Sequence, residues 1–349
     1  MGIPRRLACL LTACAITVVP AITATSTAAQ AVTPPLIRLA GPDRIATAMA
    51  IAQQHPYFND YAIIARADSY PDALVGAALA GSFQAPLYLT PSDHLDQRVL
   101  TEITSRGGLE DLVVILLGTA DVMSANVARQ LQEAGVSHLM RYGGNDRYDT
   151  AAIVARSVDS WVPPEYGGAC RFIVATGHDY PDAVSGAWLA YSLAAPLIYT
   201  DGTDVPASEV AAIQDCYPQL AREYIVVGGP AEAAIPKLPP ASKVTVYAGK
   251  DRYDTSAQVL MAASAQAVFG PVDAALKVSV ATGSNWPDAL TGGTLGPVVL
   301  ADPNVGLTPE VLDALKARAN DIGVVQALGG TDVMPSVVAV QAQQAAATP

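Results

Sequence analysis

The sequence predicts an α/β fold built from three tandem units, each with an open, mostly parallel sheet that helices cover on both faces. Three observations predict it: a set of motifs occurs three times, the strands are continuous apolar runs, and strands alternate strictly with helices. Of the 349 residues, 51% are hydrophobic and only 15% are charged, so the chain can bury more than one core.

Four motifs recur in the same order. The first is Gly-x-Asp-Arg-x-x-Thr, with its aspartates at Asp43, Asp146 and Asp251. The second is aromatic-Pro-Asp-Ala, at Tyr70–Ala73, Tyr180–Ala183 and Trp286–Ala289. The third is a small residue before Pro and an aliphatic residue, at Ala85–Leu87, Ala195–Leu197 and Gly296–Val298. The fourth is an apolar run that ends in glycine, at Val113–Gly118, Tyr224–Gly229 and Val324–Gly330.

This spacing predicts repeat units at residues 36–137, 138–243 and 244–345. In the first unit we expect strands at 36–39, 61–65, 86–89 and 112–117, and helices at 43–54, 71–82, 94–106 and 124–134. Three similar units without a Gly/Ser-rich linker are expected to pack with pseudo-threefold symmetry, and a linear array is the alternative. In the third copy only 10 residues, not 15, separate the prolines of the second and third motifs, so its second helix must be shorter.

The N-terminus has the features of a secretory signal. Arg5 and Arg6 precede an apolar stretch from Leu7 to about Ile22, and small residues at Ala29 and Ala31 suit cleavage before Val32. We therefore predict a signal peptide at residues 1–31 and a secreted protein. Lipidation at Cys14, after Leu11-Thr12-Ala13, is the alternative. No later run reaches the roughly 18 apolar residues of a membrane-spanning helix, so none is expected in the mature chain.

Charge and motif content exclude several classes of function. The net charge is −12, and −14 once residues 1–31 are removed, which argues against nucleic acid as a partner. An anionic polymer would need local cationic sites or bridging cations. Cys170 and Cys216 remain after cleavage and are a disulfide candidate in an exported protein, with two isolated buried thiols as the alternative. The sequence has no metal-ligand spacing, no nucleotide or other cofactor motif and no catalytic signature, which favours binding over catalysis.

The repeated charged residues are the candidate site. Asp43, Asp146 and Asp251 fit helix N-caps, and helix physics also explains the Pro-Asp aspartates, Asp72, Asp182 and Asp288. The arginines after the caps are harder to explain, because a cation in the first helical turn opposes the helix dipole; they are Arg44, Arg147 and Arg252. Two compensations stay open: an ion pair with a Pro-Asp aspartate, or an anionic ligand held by the guanidinium fork.

The motifs, taken together, resemble the cell-wall-binding repeat type 2 family, over about residues 36–345. The resemblance implies Rossmann-like units in a pseudo-threefold arrangement and non-covalent attachment to an anionic secondary polymer of the Gram-positive cell wall, at the cell surface. It implies ligand contact first at the three arginines, then at the six repeated aspartates. It implies no catalysis. The alternatives are an enzyme that modifies wall glycan or peptidoglycan, and a surface module that binds other proteins.

Overall fold

The computed structural model describes residues 32–55, 60–105, 108–159, 169–217, 219–263 and 275–347. The predicted signal peptide, residues 1–31, lies outside these ranges. The strands of the described chain are β1 (Leu36–Leu39), β2 (Tyr61–Arg66), β3 (Leu87–Thr90), β4 (Val113–Leu117), β5 (His138–Tyr142), β6 (Ala169–Thr176), β7 (Leu197–Thr200), β8 (Ala221–Val227), β9 (Lys243–Tyr247), β10 (Leu276–Thr282), β11 (Val298–Ala301) and β12 (Ile322–Leu328).

The helices alternate with these strands. They are α1 (Arg44–Ala52), α2 (Pro71–Phe83), α3 (Gln97–Ser105), α4 (Ala125–Glu133), α5 (Arg147–Asp159), α6 (Pro181–Ser192), α7 (Ala207–Asp215), α8 (Gly229–Ala233), α9 (Arg252–Ala262), α10 (Pro309–Ala317) and α11 (Ser336–Ala345). Where α2 and α6 stand in the first two repeats, the third has turns and a 3-10 helix, Gly292–Thr294. Its shorter motif spacing predicts this loss of length.

The strands form three four-stranded parallel sheets, with orders β3-β2-β4-β5, β7-β6-β8-β9 and β11-β10-β12-β1. This confirms the predicted α/β fold of three repeat units. In the first sheet the chain passes from β2 to β3 on one side of β2, and then to β4 on the other side; the other two sheets follow the same order. A topological switch point therefore lies beyond the carboxyl ends of β2 and β4, and at the equivalent place in the other two sheets.

The fourth strand of each sheet comes from the start of another predicted segment. Strand β5 joins the first sheet and β9 joins the second, although each begins the segment that follows. Strand β1 closes the cycle by pairing with β12, from Leu36 beside Val325 to Leu39 beside Leu328. The three repeats are therefore joined by hydrogen-bonded strands into a closed ring, and the first and last segments of the described chain share one sheet.

The second helices of the repeats meet at the centre of this ring. Helix α2 contacts α6, and both contact the 3-10 helix of the third repeat. Almost every residue of α2 is buried, because its own sheet covers one side and the neighbouring repeats cover the other. The close approach depends on Gly81, where a Cβ would lie 2.1 Å from the Tyr191 carbonyl oxygen. This packing is the pseudo-threefold arrangement that the repeats predict.

Two further features bear on the predictions. The sulfur atoms of Cys170 and Cys216 are bonded as a disulfide, with the two Cα atoms 6.3 Å apart. The bond ties the start of β6 to the end of α7 at the periphery of the second repeat. Within the described ranges, none of the helices combines the length and apolar character that crossing a bilayer requires.

Candidate functional site

The aspartates of the first motif cap the first helix of each repeat. Asp43 accepts a hydrogen bond from the Ala46 N–H at 2.8 Å. Asp146 accepts from the Tyr148 and Asp149 N–H groups at 2.9 and 2.8 Å, and Asp251 makes the same pair of bonds at 3.0 and 2.9 Å. The caps satisfy backbone donors that have no partner within the helix, and each places an arginine at the first helical position.

Each of these arginines reaches the end of the next strand of its own repeat. Arg147 donates to the Gly177 carbonyl after β6, and Arg252 donates to the Gly283 carbonyl after β10 at 2.7 Å. Arg44 makes the equivalent bond to the Ala67 carbonyl after β2, at 2.9 Å. The carbonyl accepts from the cation and offsets its unfavourable place at a helix N-terminus.

The same arginines lie over the motif aromatics of the preceding repeat. The guanidinium carbon of Arg147 is 5.7 Å from the Tyr70 ring centroid, and that of Arg252 is 5.6 Å from the Tyr180 centroid. Both tyrosine hydroxyls also accept from their arginine, at 3.2 and 3.1 Å. These cation–π contacts join one repeat to the next.

Arg44 completes the cycle by lying over Trp286 of the third repeat, 4.8 Å from its ring centroid. Tyr70 stands 6.1 Å from both Tyr180 and Trp286, centroid to centroid. We call these six residues the arginine–aromatic ring: Arg44, Arg147, Arg252, Tyr70, Tyr180 and Trp286. All six are partly exposed, so a ligand can reach them.

The arginines do not pair with the Pro-Asp aspartates, which was one of the two compensations open from the sequence. Across the described residues, no ion pair joins a first-turn arginine to Asp72, Asp182 or Asp288. The carbonyl and the aromatic ring take that place. Arg252 has a longer ion pair, 3.6 Å, with the exposed Asp179, whereas Arg44 and Arg147 have none among the residues described.

The Pro-Asp carboxylates lie instead at the switch points of the three sheets. Each faces the glycine that follows the last strand of its repeat (β4, β8 or β12), and these glycines have φ between 91° and 97°: Gly118, Gly228 and Gly329. A Cβ on Gly228 would stand 1.9 Å from Asp182 Oδ2, and one on Gly329 would stand 2.7 Å from Asp288 Oδ2. The glycines therefore provide the space that the carboxylates fill.

Burial perturbs two of these acids. Burial raises the pKa of Asp72, and the charges of Arg66 and Arg147 oppose the rise. Burial also raises the pKa of Asp182 to about 6, with a contribution from Asp179, against Arg252 and a hydrogen bond from Thr255. Because Thr255 belongs to the next repeat, this acid also links two repeats.

The arrangement suits an anionic ligand with a flat or sugar-like face. The arginine–aromatic ring places guanidinium groups beside aromatic faces. The carboxylates of Asp72 and Asp182 interact electrostatically with Arg147 and Arg252. The arginines and the six aspartates are candidates from the sequence, whereas the aromatic residue of the second motif was missed as a site residue. Its recurrence as Tyr70, Tyr180 and Trp286 was the available signal. In the described ranges, no group of three or more His, Cys, Asp or Glu could hold a metal ion.

Comparison with known proteins identifies the family of the repeats. The family "Cell wall binding domain 2 (CWB2)" matches three segments, residues 38–128, 141–235 and 247–339. A curated relative, the N-acetylmuramoyl-L-alanine amidase LytC of Bacillus subtilis (strain 168), is 28% identical over 261 residues, which are 74% of this chain and 47% of LytC.

Two solved structures share the fold. Cwp6 from Clostridium difficile has a TM-score of 0.72 at 22% identity, covering 89% of this chain and 48% of Cwp6. Cwp8 from the same organism has a TM-score of 0.70 at 22% identity, covering 89% of this chain and 51% of Cwp8. The chain thus spans about half the length of the relatives it matches. With three matched repeats over most of its length, the chain belongs to the Cell wall binding domain 2 family, and cell wall binding is the function of its repeats.

Proposed function

We propose that this protein is secreted and attaches non-covalently to an anionic polymer of the cell wall through the arginine–aromatic ring. The observation that carries the proposal is the convergence of three guanidinium groups, two of them without an ion pair in the described part of the chain. A chain of net charge −12 repels an anionic polymer at long range, so it must hold one through a local cationic site.

The three junctions are not equivalent, and Arg44 is the most available contact. Tyr70 and Tyr180 each hold a neighbouring arginine through the phenolic oxygen. Trp286 has no such group. Within the described residues, Arg44 donates one side-chain hydrogen bond, from Nη1 to the Ala67 carbonyl, and its Nε and Nη2 atoms have no hydrogen-bond partner there. A free edge of a guanidinium beside an indole face suits an acidic or phosphorylated sugar.

The test is binding of the purified protein to isolated cell walls, before and after chemical removal of the anionic polymer. We expect Arg44→Gln to weaken binding roughly 10- to 100-fold, because a hydrogen bond to a charged group contributes about 1.5–3 kcal/mol. Its thermal unfolding should change little, since one hydrogen bond and one ring contact are lost. Arg129→Gln is the matched control, because that arginine is 59% exposed on α4 and its partners among the described residues, Glu133 and Asn126, also lie on α4.

A second variant separates structure from binding. Arg44→Ala, Arg147→Ala and Arg252→Ala together should abolish wall binding, and circular dichroism should show whether the fold survives. Equal binding of the native protein to intact and stripped walls would refute the proposal. So would native affinity in a folded Arg44→Gln variant. We propose no catalytic role for this chain, because the amidase activity named for LytC belongs to a protein of which these repeats match 47%.

A further inference from the structure

The three junctions of the arginine–aromatic ring differ at the residue that precedes the aromatic side chain. These residues belong to the repeated second motif, so they stand at equivalent places in the three repeats. They are Ser69, Asp179 and Asn285. One junction therefore carries a carboxylate where the other two carry neutral polar side chains.

Asp179 and Asn285 make the same local hydrogen bond. Asp179 Oδ1 accepts from the Tyr180 N–H at 2.9 Å, and Asn285 Oδ1 accepts from the Trp286 N–H at 2.9 Å. In Asp179 this leaves Oδ2, which lies 3.6 Å from Nη2 of Arg252. In Asn285 the corresponding atom is Nδ2, an amide nitrogen that donates hydrogen bonds and cannot accept them.

Asp179 faces on Arg252 the atom that is open on Arg44. Within the described residues, Nη2 of Arg44 has neither a hydrogen-bond partner nor an ion pair. Because a guanidinium binds carboxylates and phosphates through the same edge, the Asp179 carboxylate takes the place of a ligand's anionic group. The Arg252 and Asp179 side chains are 36% and 56% exposed, so their ion pair is weak and a competing anion can reach it.

The acid beside Arg44 is engaged elsewhere. Asp68 interacts electrostatically with Arg44, but Arg66 donates to both of its carboxylate oxygens, from Nε at 2.6 Å and from Nη2 at 2.8 Å. The equivalents of Arg66 in the other repeats are Thr176 and Thr282, so this two-point pair is specific to the first repeat. It uses both oxygens of Asp68 and leaves the Arg44 edge to a ligand.

We infer that Asn285 is a ligand-binding residue, which donates from Nδ2 beside Arg44 to an anionic group of the polymer, and that Asp179 is an internal anion that occupies the Arg252 junction. Both roles rest on the proposed function, in which an anionic wall polymer binds the arginine–aromatic ring.

The two junctions therefore differ in what they offer an anionic oxygen. At the Arg44 junction the oxygen can accept from a guanidinium and from the amide of Asn285. At the Arg252 junction it must displace Asp179 and is repelled by the carboxylate charge. Asp179 thus directs the polymer away from one of three similar junctions and decides which of them it uses.

The test is the affinity of purified variants for isolated cell walls. Asn285→Asp should weaken binding roughly 10-fold or more, because it places a negative charge where the anionic group binds. Asp179→Asn should strengthen binding roughly 2- to 5-fold, the range set by the loss of an exposed ion pair. Both changes keep the Oδ1 atom that accepts from the next backbone N–H, so thermal unfolding should match that of the native protein.

A third variant removes the donor without adding charge. Asn285→Ser carries the residue of the Arg147 junction and should weaken wall binding roughly 2- to 10-fold, the effect of losing one hydrogen bond. Because serine retains a short oxygen acceptor at this turn, it keeps the amide-donor role testable even if Asn285→Asp proves unstable.

Two controls separate the site from net charge. Gln132→Glu adds one negative charge at an exposed position of α4, and Asp313→Asn removes one from a side chain of α10 that is 78% exposed. Neither should change wall affinity. The gain from Asp179→Asn should also vanish in an Arg252→Gln background, since the guanidinium that the change frees is then absent.

Native affinity in folded Asn285→Asp or Asn285→Ser overturns the role of Asn285. The role of Asp179 is overturned if Asp179→Asn gives no gain, or if its gain persists in the Arg252→Gln background. Equal effects of the matched controls overturn both. All variants are measured on intact walls and on walls stripped of the polymer. Equal binding of the native protein to the two wall preparations refutes the proposed function itself, so the two failures are distinguishable.

Discussion

Replacing Asp182 by Asn isolates the energetic effect of one buried carboxylate at a repeat junction. Burial and the neighbouring Asp179 raise the pKa of Asp182 to about 6, against 3.8 for an ordinary aspartic acid. Since each pKa unit corresponds to 1.36 kcal/mol, this difference is worth at most about 3 kcal/mol between the two protonation states. Partial exposure of Asp182 to solvent lowers the figure, so we expect about 1–3 kcal/mol.

Proton linkage gives the direction in which the contribution of Asp182 to stability changes with pH. Between about pH 4 and pH 6 the folded protein binds more protons at Asp182 than the unfolded chain does, so its contribution to stability falls as pH rises. Asn cannot ionise and still accepts from Thr255. Urea denaturation should therefore give similar stabilities for the native protein and Asp182→Asn near pH 3.5. Above pH 6.5 the variant should be more stable.

Two measurements can contradict this reasoning. An equal stability difference at pH 3.5 and pH 7.5 would mean that charge burial is not the cause. A less stable Asp182→Asn at pH 7.5 would mean that the carboxylate has a partner which outweighs its desolvation. Asp179→Asn should shift the pH midpoint downward, because the Asp179 charge raises the pKa of Asp182. Asp313→Asn is the control, since that side chain is 78% exposed.

Two further stability predictions rest on single contacts. Burial raises the pKa of Glu209 well above its usual value, and its Oε1 accepts from the Tyr199 N–H at 2.9 Å. Urea denaturation at pH 8 should therefore show that Glu209→Gln is more stable than the native protein. Glu209→Val should be less stable than Glu209→Gln. Equal stabilities of these three proteins would argue against this reasoning. Gly228→Ala should destabilise the protein by about 3 kcal/mol, because its φ is 92° and the Cβ would meet Asp182. Gly229→Ala is the control, because a Cβ at Gly229 would meet no atom within 4 Å. Its free energy of unfolding should lie within about 0.5 kcal/mol of that of the native protein. A similar loss of stability in both variants would refute the steric argument.

The candidate site belongs to the junctions rather than to single repeats. Arg252 of the third repeat makes a cation–π contact with Tyr180 of the second repeat, and Trp286 of the third repeat makes one with Arg44 of the first. The shortened third repeat therefore keeps both of its contributions, because the aromatic residue precedes the segment that lost its helix. The difference is the missing tyrosine hydroxyl. Among the described residues it leaves Arg44 with one side-chain hydrogen bond, whereas Arg147 and Arg252 each donate two.

Much of the fold was predictable from the sequence because its signals are local. Pro71 opens α2 as expected, and Asp43, Asp146 and Asp251 cap their helices, since a cap involves only neighbouring residues. Helix α3 begins at Gln97 and not at the predicted 94, because Thr90 Oγ1 accepts from the Asp96 N–H and donates to the His94 carbonyl. That pair of bonds needs the end of a strand beside the turn.

The sequence by itself determined the three repeats, the parallel sheets, the caps and the shorter third segment, because each follows from short-range spacing and hydrophobic pattern. Only the tertiary structure decided how the arginines are compensated. Arg147 and Tyr70 are 77 residues apart, and Arg252 and Tyr180 are 72 apart. The closing of the ring by β1 and β12 was likewise undetermined, since strand pairing across the whole chain depends on how three units pack. Contacts between distant residues leave no periodic signal, so the partners of the arginines could be found only in the folded molecule.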